Sequence, residues 1–260
     1  EMECLDELLP GWREEHGSFV RELLNQKVAR HDTYFLTRTK ALHIPQIFVP
    51  GTSRKDRNCT ISIASLTAWL AEKAAELGVE VYCGFAAKEP LIENGSVKGV
   101  ILRERGVDRD GAHQENYLAP EVIRAKITIV ADGVCGPVSS AVIRQMNLDH
   151  GRNPQVYSLG LKQLLKFPSR DHHGTNRVVH TFGYPNRLNV FRGGFVYDMG
   201  ASEISVGLVI GLDWPCYDLN PQQELELFKQ QPFISSLSAG GEIAAAGAKM
   251  IPEGGLYSMP

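Results

Sequence analysis

The sequence has no apolar run that approaches the length of a membrane-spanning helix, which needs roughly 20 residues. Proline, glycine or charged residues interrupt each apolar run well before that length. The first residues, Glu1-Met-Glu-Cys, are acidic and do not resemble a secretion signal. We therefore expect no transmembrane helix and no secretion signal in this sequence.

An excess of charge of one sign is also missing. Among 260 residues, 27 lysines and arginines stand against 30 aspartates and glutamates, which gives a net charge of −3 at pH 7. The two signs are interspersed, whereas binding to a nucleic acid backbone requires a basic patch or stripe. We therefore expect no nucleic acid partner and interpret the chain as globular.

Paired cysteines are missing as well. No C-x-x-C pair could present two thiolates to zinc or an iron-sulfur cluster, which is typical of reduced thiols in an intracellular protein. The pair His172-His173 lies in a polar loop without a partnering ligand motif, and we interpret that loop as solvated rather than as a metal site. The five cysteines are Cys4, Cys59, Cys83, Cys135 and Cys216.

The most informative local pattern is AKITIVADGVCGPVSS, at residues 125–140. Its β-branched residues predict a strand from Lys126 to Ala131 and a helix from Pro137 to Met146, joined by a turn at Asp132 and Gly133. Such a turn holds a phosphate or a cofactor, because glycine lets the backbone approach and a helix amino terminus favours negative charge. Asp132 can also cap the helix, and the two roles are compatible.

The preceding segments indicate how this strand is reached. The sequence predicts a helix from Leu66 to Leu77, a short strand from Val79 to Gly84, and a hairpin whose arms, Glu89 to Glu93 and Val97 to Arg105, meet at Asn94-Gly95. An antiparallel excursion between two parallel strands is typical of flavoprotein FAD domains, although any α/β domain with a surface hairpin fits the same order. We expect the two strands to be parallel neighbours, with the hairpin off the sheet.

The second half of the chain has the two-residue periodicity of strands. This pattern predicts a largely antiparallel sheet, followed by a helix with Asn220 as its cap and Pro221 at its first position. The tail from Gly240 to Pro260 is rich in small residues and fits either a closely packed connection or a flexible terminus. The predicted strands are Val156 to Lys166, Arg177 to Phe182, Leu188 to Tyr197 and Glu203 to Leu212, and the helix is Pro221 to Gln231.

Two apolar patches, Tyr34 to Leu36 and Leu42 to Pro50, form a hairpin-like region near the start of the chain. Their prolines exclude a central strand, so the large side chains belong to an edge or a protruding loop. Composition alone favours a buried core over an exposed interaction or membrane-surface patch. The nearby bases Arg38, Lys40 and Arg54 to Arg57 would suit lipid headgroups or could simply be solvated.

Taken together, these segments resemble the middle part of the electron transfer flavoprotein-ubiquinone oxidoreductase family, over essentially the whole chain. Their combination and order are specific to that family, whereas ADG after a strand is shared with related hydroxylases and with geranylgeranyl-reductase-like flavoproteins. The segments that carry the resemblance are LTAWLAEKAAELGVEVYCGFAA, VKGVILRERGVDRDG, AKITIVADG, PQVYSLGLKQL, HTFGYP, GGFVY, VGLVIGLDW and GAKMIPEGGLYSMP.

The resemblance implies a mixed α/β fold, in which part of a Rossmann-like FAD domain with an antiparallel crossover is interleaved with a mainly antiparallel ubiquinone-binding domain. The G-x-G-x-x-G motif and the cluster cysteines of the family are absent, so we expect an internal fragment with an incomplete FAD site, and a 4Fe-4S cluster only in the full-length protein. The implied segments are residues 1–57 (quinone and membrane contact), 58–150 (FAD domain), 151–250 (ubiquinone-binding domain) and 251–260 (return to the FAD domain).

The resemblance also implies site residues. The expected FAD contacts are Ala86, Ala87, Ala131, Asp132 and Gly133. The expected quinone contacts are Arg192, Gly193, Gly194 and Phe195, among which Gly193 is the preferred residue because Arg192 and Gly194 replace a glycine and a serine of the family. The resemblance reverses the preference for a buried patch and predicts membrane contact by Phe35, Leu36, Ile44, Ile47, Phe48 and Val49.

The implied activity is electron transfer without a catalytic base in this chain. Electrons would pass from reduced electron transfer flavoprotein through the cluster and FAD to ubiquinone, on the bacterial cytoplasmic membrane or the mitochondrial inner membrane. Two alternatives remain open at this point. One is a geranylgeranyl-reductase-like or nitrogen-fixation-related FAD reductase, and the other is a non-catalytic quinone-binding fragment that by itself binds FAD weakly or not at all.

Overall fold

A computed structural model of the chain describes residues 3–15, 17–49, 58–168, 176–185, 190–200, 202–215 and 218–260. The chain forms two compact units. The first, which we call the sheet unit, comprises Glu1–Gly78 and Tyr157–Ile251. The second, the hairpin unit, comprises Val79–Val156 and Pro252–Pro260.

The sheet unit is built on a seven-stranded sheet among the described residues. Its strands are β1 (Arg30–Leu36), β2 (Ala41–Ile44), β8 (Tyr157–Lys166), β9 (Arg177–Gly183), β10 (Arg192–Asp198), β11 (Glu203–Gly211) and β12 (Glu242–Pro252). They lie side by side in the order β12-β8-β11-β10-β9-β1-β2. The strands β8, β11, β10 and β9 are antiparallel to one another in that order, whereas β1 runs parallel to β9. This arrangement confirms the expected largely antiparallel sheet.

One face of this sheet is buried against two helices, and we call it the helix-covered face. The helices α5 (Pro221–Gln230) and α6 (Pro232–Ser238) contribute Leu225, Phe228 and Ile234, each no more than 2% exposed. The strands supply alternating apolar residues to the same core, because successive side chains of a strand point to opposite faces. These strand residues include Leu161, Leu165, Val179, Val196, Ile204, Val206, Leu208 and Ile210.

Three further helices of the sheet unit are α1 (Glu3–Leu8), α2 (Ser18–Asn25) and α3 (Ile63–Glu76). They gather around a second apolar cluster that contains Trp12 and Trp69. The predicted cap of α5 is confirmed, because the Asn220 side chain accepts hydrogen bonds from the first turn of that helix. The helix α3 ends shortly before Gly78, which has a positive φ of 84°.

The hairpin unit confirms the predicted Asn94-Gly95 turn, where both residues have positive φ, as a tight two-residue hairpin requires. The helix α4 (Pro137–Met146) also has the predicted bounds. The strands of this unit are β3 (Ala87–Glu93), β4 (Ser96–Leu102), β5 (Arg105–Val107), β6 (His113–Leu118) and β7 (Val122–Arg124).

The two predicted parallel strands of the hairpin unit are not formed, so this expectation is wrong for the described structure. Neither Val79–Tyr82 nor Lys126–Ala131 belongs to a sheet among the described strands. Their apolar side chains are exposed, with Ile127 at 80% and Ile129 at 89%. A strand of a parallel sheet is stable when neighbouring strands hydrogen-bond to its edges and other elements cover its two faces. No described strand pairs with either of these segments.

The contact between β10 and α5 gives a prediction about stability. A Cβ atom on Gly194 would overlap the Phe228 ring and lie 2.6 Å from the Thr181 hydroxyl. We expect Gly194→Ala to lower the free energy of unfolding by about 1 to 3 kcal/mol, because the added methyl group would overpack the core. Urea unfolding followed by circular dichroism measures this change.

The matched control is Gly193→Ala, one residue earlier on the same strand. Its Cβ would meet only the Thr181 carbonyl, at an ordinary distance of 3.5 Å. This variant should be as stable as the wild type or slightly more stable, since alanine loses less backbone entropy than glycine on folding. Equal losses in the two variants would contradict the assignment of the faces.

Candidate functional site

The strand β10 divides the expected quinone residues between its two faces. Arg192 and Gly194 point to the helix-covered face, where the guanidinium Nη1 of Arg192 donates to the Glu224 carboxylate at 2.5 Å and to the Pro185 carbonyl at 2.6 Å. The side chain of Arg192 is 1% exposed. The Arg192 side chain therefore links β10 to α5, and only the backbone of Arg192 can contact a ligand on the opposite face.

Gly193 and Phe195 lie on the opposite face, which we call the cavity face. The register of β10 with β11 begins at Arg192, whereas its register with β9 begins only at Gly194. Gly193 therefore lies outside the β9 ladder and has no side chain to cover its backbone. The Phe195 ring lies against Gly207 of β11, so closely that a Cβ atom on Gly207 would overlap the ring.

A cavity of about 420 Å³ opens on this face, entirely within the sheet unit. Its lining combines an aromatic surface with polar groups, which is typical of a site for a flat organic ligand. Five strands and the segment 58–61 contribute to it. The lining residues include His31, Lys162, Val178, His180, Phe195, Tyr197 and Ser205, together with Cys59, Thr60 and Ile61.

Three of the lining residues form a continuous chain of hydrogen bonds. The Nε2 atom of His31 lies 2.6 Å from Nδ1 of His180, and Nε2 of His180 lies 2.6 Å from the Tyr197 hydroxyl. Burial, and secondarily the neighbouring His31, lowers the pKa of His180 to about 4, and burial raises the pKa of Tyr197 to about 12. His180 and Tyr197 are therefore both uncharged at neutral pH.

Two further polar atoms line the cavity without a protein partner. The hydroxyls of Thr60 and Ser205 have no hydrogen-bond partner among the described residues, although these residues are only 6% and 1% exposed. A buried hydroxyl without a partner costs free energy, so such groups indicate that a ligand or water satisfies them.

Sequence reasoning missed most of this cavity. His180 and Tyr197 fall within segments that carried the family resemblance. On each strand, the two-residue alternation with buried apolar neighbours could have shown that these side chains point away from the helix-covered core. His31 has no such signal. It reaches His180 only because β1 pairs in parallel with β9, from which it is separated by well over a hundred residues of chain.

In the hairpin unit, the expected flavin turn has the predicted local geometry despite the missing strands. The Asp132 carboxylate accepts hydrogen bonds from the backbone of Val138, at 2.8 Å, and of Ser139, at 3.1 Å, and so caps α4. Partial burial raises the pKa of Asp132, but hydrogen bonds from Ser139 and Val138 outweigh it and hold the pKa below its ordinary value.

The surroundings of this turn fit a group that approaches the backbone closely. Gly133 has a positive φ of 81°, and no atom lies within 4 Å of the place where its Cβ would stand. Ala86, Ala131 and Asp132 are exposed, while Ala87 begins β3 and is half-buried. The open, glycine-containing helix start therefore has room for part of a dinucleotide.

Three of the six expected membrane residues, Phe35, Ile47 and Phe48, are exposed. Ile47 is 85% exposed and Phe48 77%, whereas Ile44 and Val49 are half-buried. Leu36 is only 1% exposed and lies in the helix-covered core, because it alternates with Phe35 along β1. Leu36 is therefore not part of the exposed set. Pro50 and the bases from Arg54 to Arg57 lie outside the described residues.

Phe35 lies on the cavity face of the sheet. It pairs in register with Phe182 of β9, and the two rings contact each other edge to face with centroids 5.5 Å apart. Phe35 is 38% exposed and Phe182 42%. Since Phe182 follows His180 by two residues on the same face, Phe35 and Phe182 form an exposed apolar strip on that face.

The remaining sequence expectations concern metals and membrane spans. The pair His172-His173 lies outside the described residues, and the described part of the chain contains no group of three or more metal-ligating side chains. None of the described helices combines the length and the apolar character needed to cross a bilayer. The described cysteines, Cys4, Cys59, Cys83 and Cys135, are free thiols.

The family model and the curated relatives that match this sequence agree on one family. Residues 157–251 match the family described as ETF-QO, ubiquinone-binding. The chain is 38% identical to an electron transfer flavoprotein-ubiquinone oxidoreductase of Pseudomonas aeruginosa, with 100% of this chain and 47% of the relative aligned. It is 34% identical to the human mitochondrial protein of that name, with 99% and 42% aligned. The chain thus spans less than half the length of these relatives.

Solved structures of low sequence identity share the fold. A geranylgeranyl bacteriochlorophyll reductase-like protein from Thermoplasma acidophilum gives a TM-score of 0.57 at 15% identity, covering 88% of this chain and 50% of that one. A flavoprotein/dehydrogenase from Cytophaga hutchinsonii gives 0.54 at 17% identity, covering 96% and 55%. At these identities, the likeness concerns the fold alone.

The buried His180 gives a prediction about pH dependence. The pKa of His180 is about 4 in the folded chain, against an ordinary value of 6.5 that applies to the unfolded chain. As the pH falls from about 6.5 toward 4, the unfolded chain therefore takes up a proton that the folded chain does not, and the folded state loses stability. Between pH 7.5 and pH 5, this group should remove about 2 kcal/mol from the free energy of unfolding.

The comparison that isolates this effect is His180→Gln, measured by urea unfolding at both pH values. The variant should lose less stability on acidification than the wild type, because it has no imidazole to protonate. Identical pH dependence of the two proteins would contradict a neutral, buried His180.

Proposed function

The chain belongs to the electron transfer flavoprotein-ubiquinone oxidoreductase family, and we propose that it forms the quinone-binding part and one side of the flavin site of such an enzyme. The observation that carries this proposal is the cavity face of the sheet unit. There, the family match to the ubiquinone-binding region coincides with an uncovered glycine, a neighbouring aromatic ring and a cavity.

The quinone ring lies against Phe195, with Gly193 at one end. A flat ring gripped by backbone groups needs a strand position without a side chain, and Gly193 is such a position outside the β9 ladder. Arg192 and Gly194 contribute backbone only, because the Arg192 side chain and the Gly194 Cα face α5. The cavity next to Phe195 has the volume that a quinone head group requires.

FAD is the proposed cofactor, and it supplies two-electron chemistry when bound. Within this chain, the turn Ala131-Asp132-Gly133 and the backbone of Ala86 and Ala87 would hold it. Asp132 positions the turn by capping α4, and Gly133 leaves the backbone uncovered. The 4Fe-4S cluster is placed outside this chain, and reduced electron transfer flavoprotein is the proposed electron donor of the whole enzyme.

The exposed apolar patch is the proposed membrane contact. Ile47 and Phe48 would enter the interface of the bacterial cytoplasmic membrane or the mitochondrial inner membrane in a monotopic manner. The strip formed by Phe35 and Phe182 then provides an apolar route between the bilayer and the quinone site, which a long prenyl tail requires.

The quinone site is tested with Gly193→Val in the full-length protein. The added side chain occupies the cavity face where the ring lies, so quinone reduction should fall sharply while reduction of the flavin by electron transfer flavoprotein is retained. Stopped-flow absorbance separates the two half-reactions. Normal quinone kinetics would refute the assignment.

The matched control for this experiment is Gly247→Val, on the strand β12 at the edge of the same sheet. No atom lies within 4 Å of a Cβ at Gly247, so the same bulk is added without a clash. This variant should behave as the wild type in both half-reactions.

Membrane contact is tested with the double variant Ile47→Ser, Phe48→Ser in a liposome flotation assay. Each buried apolar side chain contributes about 1.5 to 3 kcal/mol, so the double variant should move from the liposomes to the supernatant. The control replaces Leu256 and Tyr257 by serine, since they are similarly exposed, at 71% and 75%, in the hairpin unit. Unchanged flotation of the first variant would place the anchor elsewhere.

A further inference from the structure

We propose that the hydroxyls of Thr60 and Ser205 bind the methoxy-bearing edge of the quinone ring, so that the site selects a ring with oxygen substituents over one with methyl groups alone. This inference rests on the proposed quinone reduction and concerns the specificity of that same site. It starts from two buried hydroxyls of the cavity that have no partner among the described residues.

The polar side chains of the cavity differ in whether they have a partner without a ligand. The two histidines and the tyrosine bond to one another. Lys162 is exposed, so water can solvate its ammonium group. By contrast, Thr60 and Ser205 are only 6% and 1% exposed, and their hydroxyls have no partner within the described part of the chain. These two hydroxyls are therefore the groups that gain most from a ligand that accepts hydrogen bonds.

Ser205 lies on the cavity face of β11. Its neighbours along the strand, Ile204 and Val206, belong to the helix-covered core, so alternation turns the Ser205 side chain toward the cavity. Ser205 lies directly opposite Tyr197 of β10, which follows Phe195 by two residues on the same face. Its hydroxyl therefore lies beside the place where the ring would stack.

Thr60 comes from the segment 58–61, outside the main sheet. This segment forms an antiparallel bridge with the chain after α2, and the Thr60 amide donates to the Gln26 carbonyl at 3.1 Å. The neighbours Cys59 and Ile61 pack against the second apolar cluster. Since side chains alternate along an extended segment, Thr60 points to the other side, where the cavity lies. Two hydroxyls from separate parts of the chain thus face one cavity.

The tail of the quinone decides which edge of the ring meets these hydroxyls. In the proposed function, the prenyl tail leaves along Phe182 and Phe35, which lie on the β9 and β1 side of Phe195. A ubiquinone ring carries its two neighbouring methoxy groups on the edge opposite the tail. That edge therefore faces β11, the strand that holds Ser205.

The chemistry of the two groups is complementary. A methoxy oxygen accepts hydrogen bonds and cannot donate them, whereas a serine or threonine hydroxyl can donate one. A ring with methyl groups in these positions would leave both hydroxyls buried without a partner. A site that is built to bond a polar substituent discriminates against an analogue without it for this reason.

The test compares two quinones that share the same short alkyl tail, one with a dimethoxy-methyl ring and one with a trimethyl ring. The full-length wild-type protein should have the lower KM for the dimethoxy ring. Ser205→Ala and Thr60→Val should each raise that KM about two- to tenfold, as the loss of one hydrogen bond does, with kcat unchanged. The KM for the trimethyl ring should not rise.

Two further measurements do not depend on turnover. Isothermal titration calorimetry of the oxidised protein with each quinone should show the same changes in Kd. Urea unfolding of the quinone-free protein tests whether the hydroxyls have a structural role. Because neither hydroxyl has a described partner in the protein, neither variant should be less stable than the wild type.

The matched control is Ser158→Ala on β8. The Ser158 hydroxyl is also buried and without a partner among the described residues, but Ser158 does not line the cavity. This variant should keep the wild-type KM for both quinones, since it removes the same chemical group from a place that the ring does not reach.

The outcomes separate the inference from the function on which it rests. Equal KM values of the wild type for the two rings, a wild-type KM in both variants, or an equal loss with both rings would overturn the methoxy assignment and leave quinone reduction intact. Lower stability of the quinone-free variants would show a structural role and count against the assignment. A full-length protein that reduces its flavin but neither quinone would overturn the proposed function and this inference together.

Discussion

The alternation of side chains along β10 is the constraint on which the rest of the sheet unit depends. Gly194 must face α5 because Phe228 occupies the space where its side chain would be. Once this residue is turned toward the helices, Gly193 and Phe195 must lie on the other face. The buried pair of Arg192 and Glu224 holds the same orientation at the start of the strand. A single close contact in the core thus decides which residues face the cavity.

The same constraint explains why polar groups accumulate on one side of the sheet. The helix-covered face is apolar and closely packed, whereas the cavity face contains His31, His180, Tyr197 and Ser205 at adjoining positions of four strands. Burial of these groups is tolerated because the histidines and the tyrosine bond to one another, and because His180 remains uncharged. A site that binds a neutral, flat molecule can be built from such groups without a fixed charge at its centre.

The hairpin unit shows what happens when local signals agree but long-range pairing is missing. The turn at Asp132 and Gly133 and the helix α4 form as expected, because a cap and a glycine act within a few residues of chain. The neighbouring segment at Ile127 and Ile129 stays outside any described sheet, since a strand requires partners that local sequence does not provide. The geometry of the proposed flavin turn is therefore independent of the strand that was expected to lead into it.

Local sequence was sufficient for the helices α3, α4 and α5, the Asn94-Gly95 hairpin and the succession of strands after Tyr157, because capping residues, turn residues and periodicity act over short distances. Segments that a family shares also led to Gly193 and Asp132 as proposed site residues. Local sequence could not separate Leu36 from the exposed patch, nor Gly194 from the cavity face, because these assignments depend on which side of a strand the core occupies. Nor could it bring His31 to His180, since a parallel pairing between β1 and β9 joins residues that are distant in the chain. Tertiary structure alone decided those contacts, because side-chain periodicity defines two faces of a strand and only packing determines which of them is buried.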